Sequence, residues 1–196
     1  MKFPKLDVKK KEGSEKFISN RKELSYSVKD FWQWSTSDLV SNATRGMLAE
    51  FIVATALGVD LNRLREEWST WDLTISDNLT VEVKCSGYIQ TWGHDKLSNI
   101  KFSIKKTKAW NEVTGKYEGI KKRHATVYIF ALLNPQAQDG IDPLDLDQWD
   151  FYILSTKTLD QKMGDKASLS LTELEMLCKK VKYDEVKSEV KKIQIR

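Results

Sequence analysis

The chain has 196 residues, with 32 Lys or Arg against 28 Asp or Glu for a net charge of +4, and it carries seven Trp, seven Phe and six Tyr. That length supports a sizeable core, two cysteines exclude a disulfide framework and imply a reducing compartment, and the lack of a signal peptide or of about 18 consecutive apolar residues predicts a soluble, cytoplasmic protein without membrane contact. The two histidines, His94 and His124, lack zinc-ligand spacing, and the mild basicity permits a polyanionic partner without demonstrating one.

Residues 1–24 are Lys-rich and broken by Gly13-Ser14, which reads as a basic N-terminal arm, either trailing along a phosphate backbone or merely solvated. Residues 25–196 read as a single domain. Phe31, Trp32 and Trp34 predict a short helix over Tyr26–Trp34 that is anchored to the core. Ser35-Thr36-Ser37 offers a cap for a long helix from Asp38 to Leu57, ended by Gly58. Ala43, Met47, Ala54 and Leu57 form its apolar stripe, with Val53 beside it, and Glu50 falls on that same stripe. A carboxylate there, one turn from the small Gly46 and Ala54, either faces the sheet or pairs with a cation such as Arg45. Residues 61–68 read as a polar connection or short helix leading into the first strand.

The next stretch, WDLTISDNLTVEVKCSGYIQ from Trp71 to Gln90, reads as a β-hairpin. Trp71, Leu73 and Ile75 alternate with polar residues, as do Leu79, Val81, Val83 and Cys85. A three-residue turn, Ser76-Asp77-Asn78, sets Ile75 opposite Leu79, Thr74 opposite Thr80, Leu73 opposite Val81 and Asp72 opposite Glu82, so apolar faces apolar throughout. Two carboxylates then meet across the ladder. Like charges placed so cost roughly 0.2–1 kcal/mol, and the pair wants a compensating cation, either Lys84 or a bound divalent metal.

After Ser86 the polar, glycine-containing sequence GYIQTWGHDKLSN reads as a loop bordering that hairpin's end. Ile100, Phe102 and Ile104 alternate with Lys101, Ser103 and Lys105, predicting a third strand. From Lys101 to Arg123 eight Lys or Arg stand against two Glu, interleaved with Phe102, Trp110 and Tyr117. Such a pattern suits a nucleic-acid surface and equally a solvated hairpin with buried aromatics. The apolar run Ala125–Leu133 predicts a fully buried strand, and Trp149–Thr156 another beside it. Between them lies an acidic loop with five Asp from Asp139 to Asp150, which DNA would repel. Ser170 and Glu173 predict a capping box on a helix reaching about Lys180, with a Leu169–Leu174 staple, and a second helix follows from Tyr183. The order of elements gives an α/β (α+β) chain with a mixed central sheet flanked by helices.

Asp72, nine intervening residues and Glu82-Val83-Lys84 together resemble the signature of the PD-(D/E)xK nuclease superfamily, with Trp71 in the place of its proline. The resemblance spans about residues 38–156. It implies a restriction-endonuclease-like core, α-β-β-β-α-β, which requires a crossover helix near Lys105–Val113. It also implies a metal-dependent nuclease that hydrolyses phosphodiester bonds, with DNA the favoured substrate. Asp72, Glu82 and Glu50 with the Val83 carbonyl would hold Mg2+ or Mn2+, and Lys84 would complete the catalytic set by holding or deprotonating water or by stabilising charge. Ser86 and Gln90 would orient water or phosphate, while Lys101, Lys105 and Lys106 would contact DNA. Gln90 is followed four residues later by His94, where the exonuclease subgroup carries Tyr, which favours an endonuclease. The alternative for Asp72, Glu82 and Lys84 is a surface ion-pair ladder, in a catalytically silent nucleic-acid-binding or protein-interaction domain. No helix-turn-helix or zinc finger supplies base readout, so sequence-specific, structure-specific and repair-type cutting stay open, as does a homodimer for double-strand cuts.

Overall fold

A computed structural model of the protein describes residues 3, 6–65, 69–111 and 114–194. In chain order its elements are β1 (Lys16–Ser19), β2 (Lys22–Ser27), α1 (Val28–Thr36), α2 (Asn42–Leu57), β3 (Leu73–Ser76), β4 (Leu79–Gly87), β5 (Lys101–Ser103), β6 (Thr107–Asn111) and β7 (Lys116–Lys122). They continue with β8 (Val127–Leu133), β9 (Trp149–Ser155), α3 (Thr156–Met163), β10 (Ser168–Ser170), α4 (Leu171–Leu177) and α5 (Val186–Gln194). The fold is mixed α+β. Two units form, one from Met1–Asp38 with Asp60–Leu64, the other from Leu39–Val59 with Arg65–Arg196.

In the first unit, within the segment that reads as a basic arm, β1 and β2 make an antiparallel hairpin turned by Asn20 and Arg21, both at positive φ. α1 follows directly, capped by a reciprocal box between Ser27 and Asp30. Its aromatics do not anchor a core as the sequence suggests. Phe31, Trp32 and Trp34 are exposed, although the Trp32 ring does lie against Gly13. Thr36 and Ser37 close α1 by bonding back to the carbonyls of Trp32 and Gln33, and so do not cap the next helix.

The second unit is built on the sheet β3-β4-β8-β9. β8 is buried along its whole length because it is covered on both faces. Val127, Ile129, Ala131 and Leu133 point into one core with Val81, Val83 and Trp149, under α2 and α5. Tyr128, Phe130 and Leu132 point into the other with Tyr152, Leu159 and Leu174, under α3 and α4. β4 and β8 run parallel, with Glu82 opposite Tyr128 and Lys84 opposite Phe130. β9 runs antiparallel to β8.

The hairpin register differs from expectation at its tip. Leu73 pairs with Val81 and Thr74 with Thr80 as predicted, but Ser76 pairs with Leu79 and a bulge falls at Ile75. The turn is therefore two residues long, and the bulge absorbs the slip that would otherwise flip every side chain. α2 starts at Asn42 rather than Asp38, and Gly58 ends it at φ 74. Its buried stripe is Arg45, Ala49, Ile52, Val53, Ala54 and Leu57, so Ala43 and Met47, expected inside, lie outside.

The third strand is real but leaves the central sheet. β5 pairs with β10, and Ile100, Phe102 and Ile104 enter the second core, where Phe102 meets Phe130 edge-on at 5.2 Å. The crossover helix over Lys105–Val113 does not form; β6 and β7 make a hairpin there, with Trp110 stacked edge-on against Tyr117 at 5.1 Å. Val113 lies outside the described residues, as does residue 68 at the end of the polar connection. Alternating β-compatible residues around Gly115, itself at positive φ, outweigh a helical stripe that had only Trp110 and Val113 to bury. The capping box of Ser170 and Glu173 forms, with Leu169 and Leu174 buried on either side. α3, for which the sequence reading had no element, begins on Ser155 as its cap.

Candidate active site

Glu82 and Lys84 project from the same face of β4 as Thr80 and Ser86, away from the apolar core that takes Val81 and Val83. The second apolar layer covers this face over β8 and β9 and leaves it open over β4. A cleft of about 150 Å³ results, lined by Glu82, Lys84, Lys105, His124 and Tyr128 and rimmed by Thr70 and Thr107. Lys84 Nζ lies 2.5 Å from Glu82 Oε1, both side chains partly exposed to the cleft.

Asp72 precedes β3. Its backbone N–H donates to Val81 O at 3.1 Å, and its Oδ2 accepts from the Val83 N–H at 2.7 Å, past the point where β3 ends. The N–H and C=O of one residue leave a strand on the same edge, so the Val83 carbonyl emerges on the Asp72 side. Asp72's proton affinity is pushed up to about 7, first by burial and then by the Glu82 charge. The Val83 hydrogen bond opposes this, Glu50 adds to it and Lys84 opposes it. The hairpin register and α2 thus bring Asp72, Glu82, Glu50 and Lys84 within electrostatic reach of one another.

Glu50, at the edge of the α2 stripe, does not pair with Arg45. Arg65 grips it with two bonds, Nε to Oε2 at 2.5 Å and Nη2 to Oε1 at 2.9 Å. Arg45 instead turns inward to the carbonyl of Val40 and to Asn42 Oδ1. Among the described residues no three His, Cys, Asp or Glu side chains form a ready metal cage, and Glu82 and Glu50 each turn to a protein cation. The donor chemistry still fits a hard cation: three carboxylates and a strand-edge carbonyl, with Asp72 paired to no basic side chain among the described residues.

Of the remaining candidates, Ser86 shares the face of Glu82 and Lys84, half-buried. Gln90 is buried and latches its own loop, its Nε2 donating to Gly87 O at 3.0 Å and Ser98 Oγ at 2.9 Å while its N–H donates to His94 Nε2. Lys101 and Lys105 are exposed, Lys105 on the cleft. Lys106 is tied to Asp165 at 2.9 Å. Arg123, counted in the basic stretch, is buried: it donates to the carbonyls of Ile104, Gly164 and Lys166 and to Asp160, tying the base of the β6–β7 hairpin to the α3 end. Tyr128 and His124 escaped the sequence reading. Tyr128 sits in an apolar run with nothing to mark it, and His124 lacks a ligand-spaced partner; the signal for Tyr128 is the parallel pairing that sets it beside Glu82.

A family model described as bacteriophage T4 endonuclease IV matches residues 1–172. The chain belongs to the bacteriophage T4 endonuclease IV family. The matched span contains Glu50, Asp72, Glu82, Lys84 and every residue of the cleft. Membership supports a nuclease that cuts within a chain. Comparison with curated proteins and with solved structures finds no match. In this family member no helix among the described residues is long and apolar enough to cross a membrane.

Proposed function

We propose that the protein is a metal-dependent DNA endonuclease centred on Asp72, Glu82 and Lys84, with Glu50 in support. The observation that carries this is the crowding at Asp72: a half-buried carboxylate within electrostatic reach of two more, with a proton affinity raised to about 7. With Lys84 and Arg65 on the other two carboxylates, Asp72 is left without a cation of its own among the described residues, and a divalent ion would supply one. Asp72, Glu82 and the Val83 carbonyl would hold Mg2+ or Mn2+, with Glu50 nearby. When bound, the ion neutralises charge on a phosphodiester and makes water more acidic. The Val83 N–H fixes one Asp72 oxygen, which aims the other. Lys84, on the cleft beside Glu82, holds the attacking water and offsets charge growing on the phosphate. Asp72, just ahead of β3, bonds to the Glu82-Val83-Lys84 stretch of β4, which resembles the PD-(D/E)xK order, and we take that resemblance as part of the proposal.

Lys105 at the cleft and the exposed Lys108, Lys116, Lys121 and Lys122 of the β6–β7 hairpin give the substrate's phosphates a basic approach. The acidic loop from Asp139 to Asp150 joins the opposite, β9 end of the sheet. The ion pairs Glu82–Lys84 and Glu50–Arg65 favour a second reading, a DNA-binding module without turnover, since a protein cation already faces each of these carboxylates. Incubation with covalently closed DNA circles separates the two. Nicking in Mg2+ that stops in EDTA supports the endonuclease; salt-dependent binding with intact circles supports the module. Parallel arms with circular RNA and with end-blocked linear DNA test the choice of DNA and of internal cutting.

A further inference from the structure

Resting on the endonuclease reading, we infer that the Tyr128 hydroxyl is a further positioning group, which donates a hydrogen bond to a non-bridging oxygen of the scissile phosphate in the cleft over Glu82 and Lys84. Tyr128 is 4% exposed and belongs to a strand whose other residues on that face, Phe130 and Leu132, are wholly apolar. Packing alone asks for Phe there, so the phenol oxygen is the feature that needs a reason.

A hydroxyl on a buried ring either bonds within the protein or opens to solvent, and the Tyr128 oxygen is not among the fully buried polar atoms without a partner, so it opens to the cleft. Tyr152, on the neighbouring strand and the same face, bonds within the protein: its hydroxyl donates to Glu175 at 3.0 Å. Among the described residues no group hydrogen-bonds to the Tyr128 hydroxyl, yet Tyr128 lines the cleft together with Glu82, Lys84 and Lys105. The parallel register places it directly opposite Glu82. Phe130, at 6.0 Å between ring centroids, braces the ring from behind.

The chemistry suits a donor. Burial, and then the Glu82 charge, push the phenol's proton affinity well up, so the group stays neutral throughout the working pH range. A neutral O–H brings no negative charge to a site that already has a surplus, and it presents its hydrogen to an incoming phosphate oxygen at no cost in reorganisation. The same shift weighs against Tyr128 as a covalent nucleophile, which needs an easily formed phenolate.

The test compares Tyr128→Phe with Tyr152→Phe under single-turnover conditions on closed circular DNA, with melting temperature measured alongside. Tyr128→Phe is expected to keep its melting temperature and substrate affinity while the cleavage rate falls roughly 10- to 100-fold, the size of a lost hydrogen bond to a charged group. Tyr152→Phe is expected to move the melting temperature and leave the rate. A wild-type rate in Tyr128→Phe, with Lys84→Ala inactive in the same assay, overturns the inference and leaves the endonuclease reading standing. A covalent protein–DNA adduct that disappears in Tyr128→Phe overturns it as well, by making the residue a nucleophile. If the wild-type protein cleaves nothing, the endonuclease reading fails first.

Discussion

Asp72→Asn should stabilise the metal-free protein at neutral and alkaline pH. Asp72 binds its proton more tightly in the folded chain, up to about 7, than at the ordinary 3.8 of an unfolded one. Its contribution to stability is therefore fully present below pH 3.8 and is lost as pH rises through 7. The interval corresponds to about 4 kcal/mol at about 1.36 kcal/mol per decade of proton affinity. Asp72 is partly exposed, so removing its charge returns less than that, about 1–3 kcal/mol. Asn keeps an oxygen to accept the Val83 N–H, so the local geometry survives. For a chain of this length each kcal/mol moves the melting temperature by about 2–4 °C, and the variant should melt about 2–12 °C higher at pH 8 in EDTA. At pH 4 the two proteins should melt together. The assay is a melting series from pH 4 to pH 8.5, repeated in Mg2+, where the wild type should gain more than the variant. A variant that melts below the wild type at pH 8, or that keeps its pH slope, would refute the electrostatic argument.

Lys84→Ala should abolish cleavage while the circular dichroism spectrum is retained, because the lysine sits on a cleft-facing strand position and, among the described residues, pairs only with the partly exposed Glu82. Charge reversal at Lys108, Lys121 and Lys122 should weaken DNA binding at low salt and flatten its salt dependence, by about 0.9 in log–log slope for each duplex phosphate that the protein no longer neutralises. An unchanged slope would remove the hairpin from the DNA-binding surface. Arg123→Met should destabilise the fold by about 1–3 kcal/mol, since it strands three carbonyls that the buried guanidinium serves, while the partly exposed Asp160 keeps solvent and Lys106. Denaturant unfolding measures that loss; a change below about 1 kcal/mol would show the guanidinium to be dispensable.

How much was legible in the sequence follows the range of the forces involved. Period-two alternation placed β4 and put Glu82 and Lys84 on one face, because a strand's side chains alternate whatever surrounds it, and an unbroken apolar run placed β8. The register near Asp72 followed from matching apolar to apolar, whereas the tip slipped by a bulge that costs little locally and leaves no mark in composition. The capping box of Ser170 and Glu173 was readable because both partners lie within four residues. What failed was longer in range. The rotation of α2 depends on what packs against it, so Ala43 and Met47 were expected inside and lie outside. The partner of Glu50, Arg65, lies fifteen residues away across a connection that no periodicity spans. The β6–β7 hairpin replaced a helix expected from resemblance, since turn chemistry at Gly115 decided that segment. Arg123 looked like one more basic residue and became a buried tie, and Tyr128 looked like core and became part of the cleft; both depend on the fold as a whole.

The most direct test is the anomalous difference map of a crystal soaked in manganese at neutral pH. The proposed chemistry predicts a peak between the Asp72 and Glu82 carboxylates and the Val83 carbonyl, with Lys84 beside it and Glu50 within reach of its water shell. A crystal that diffracts well and binds manganese elsewhere, from protein that nonetheless cuts DNA at full rate, would contradict it.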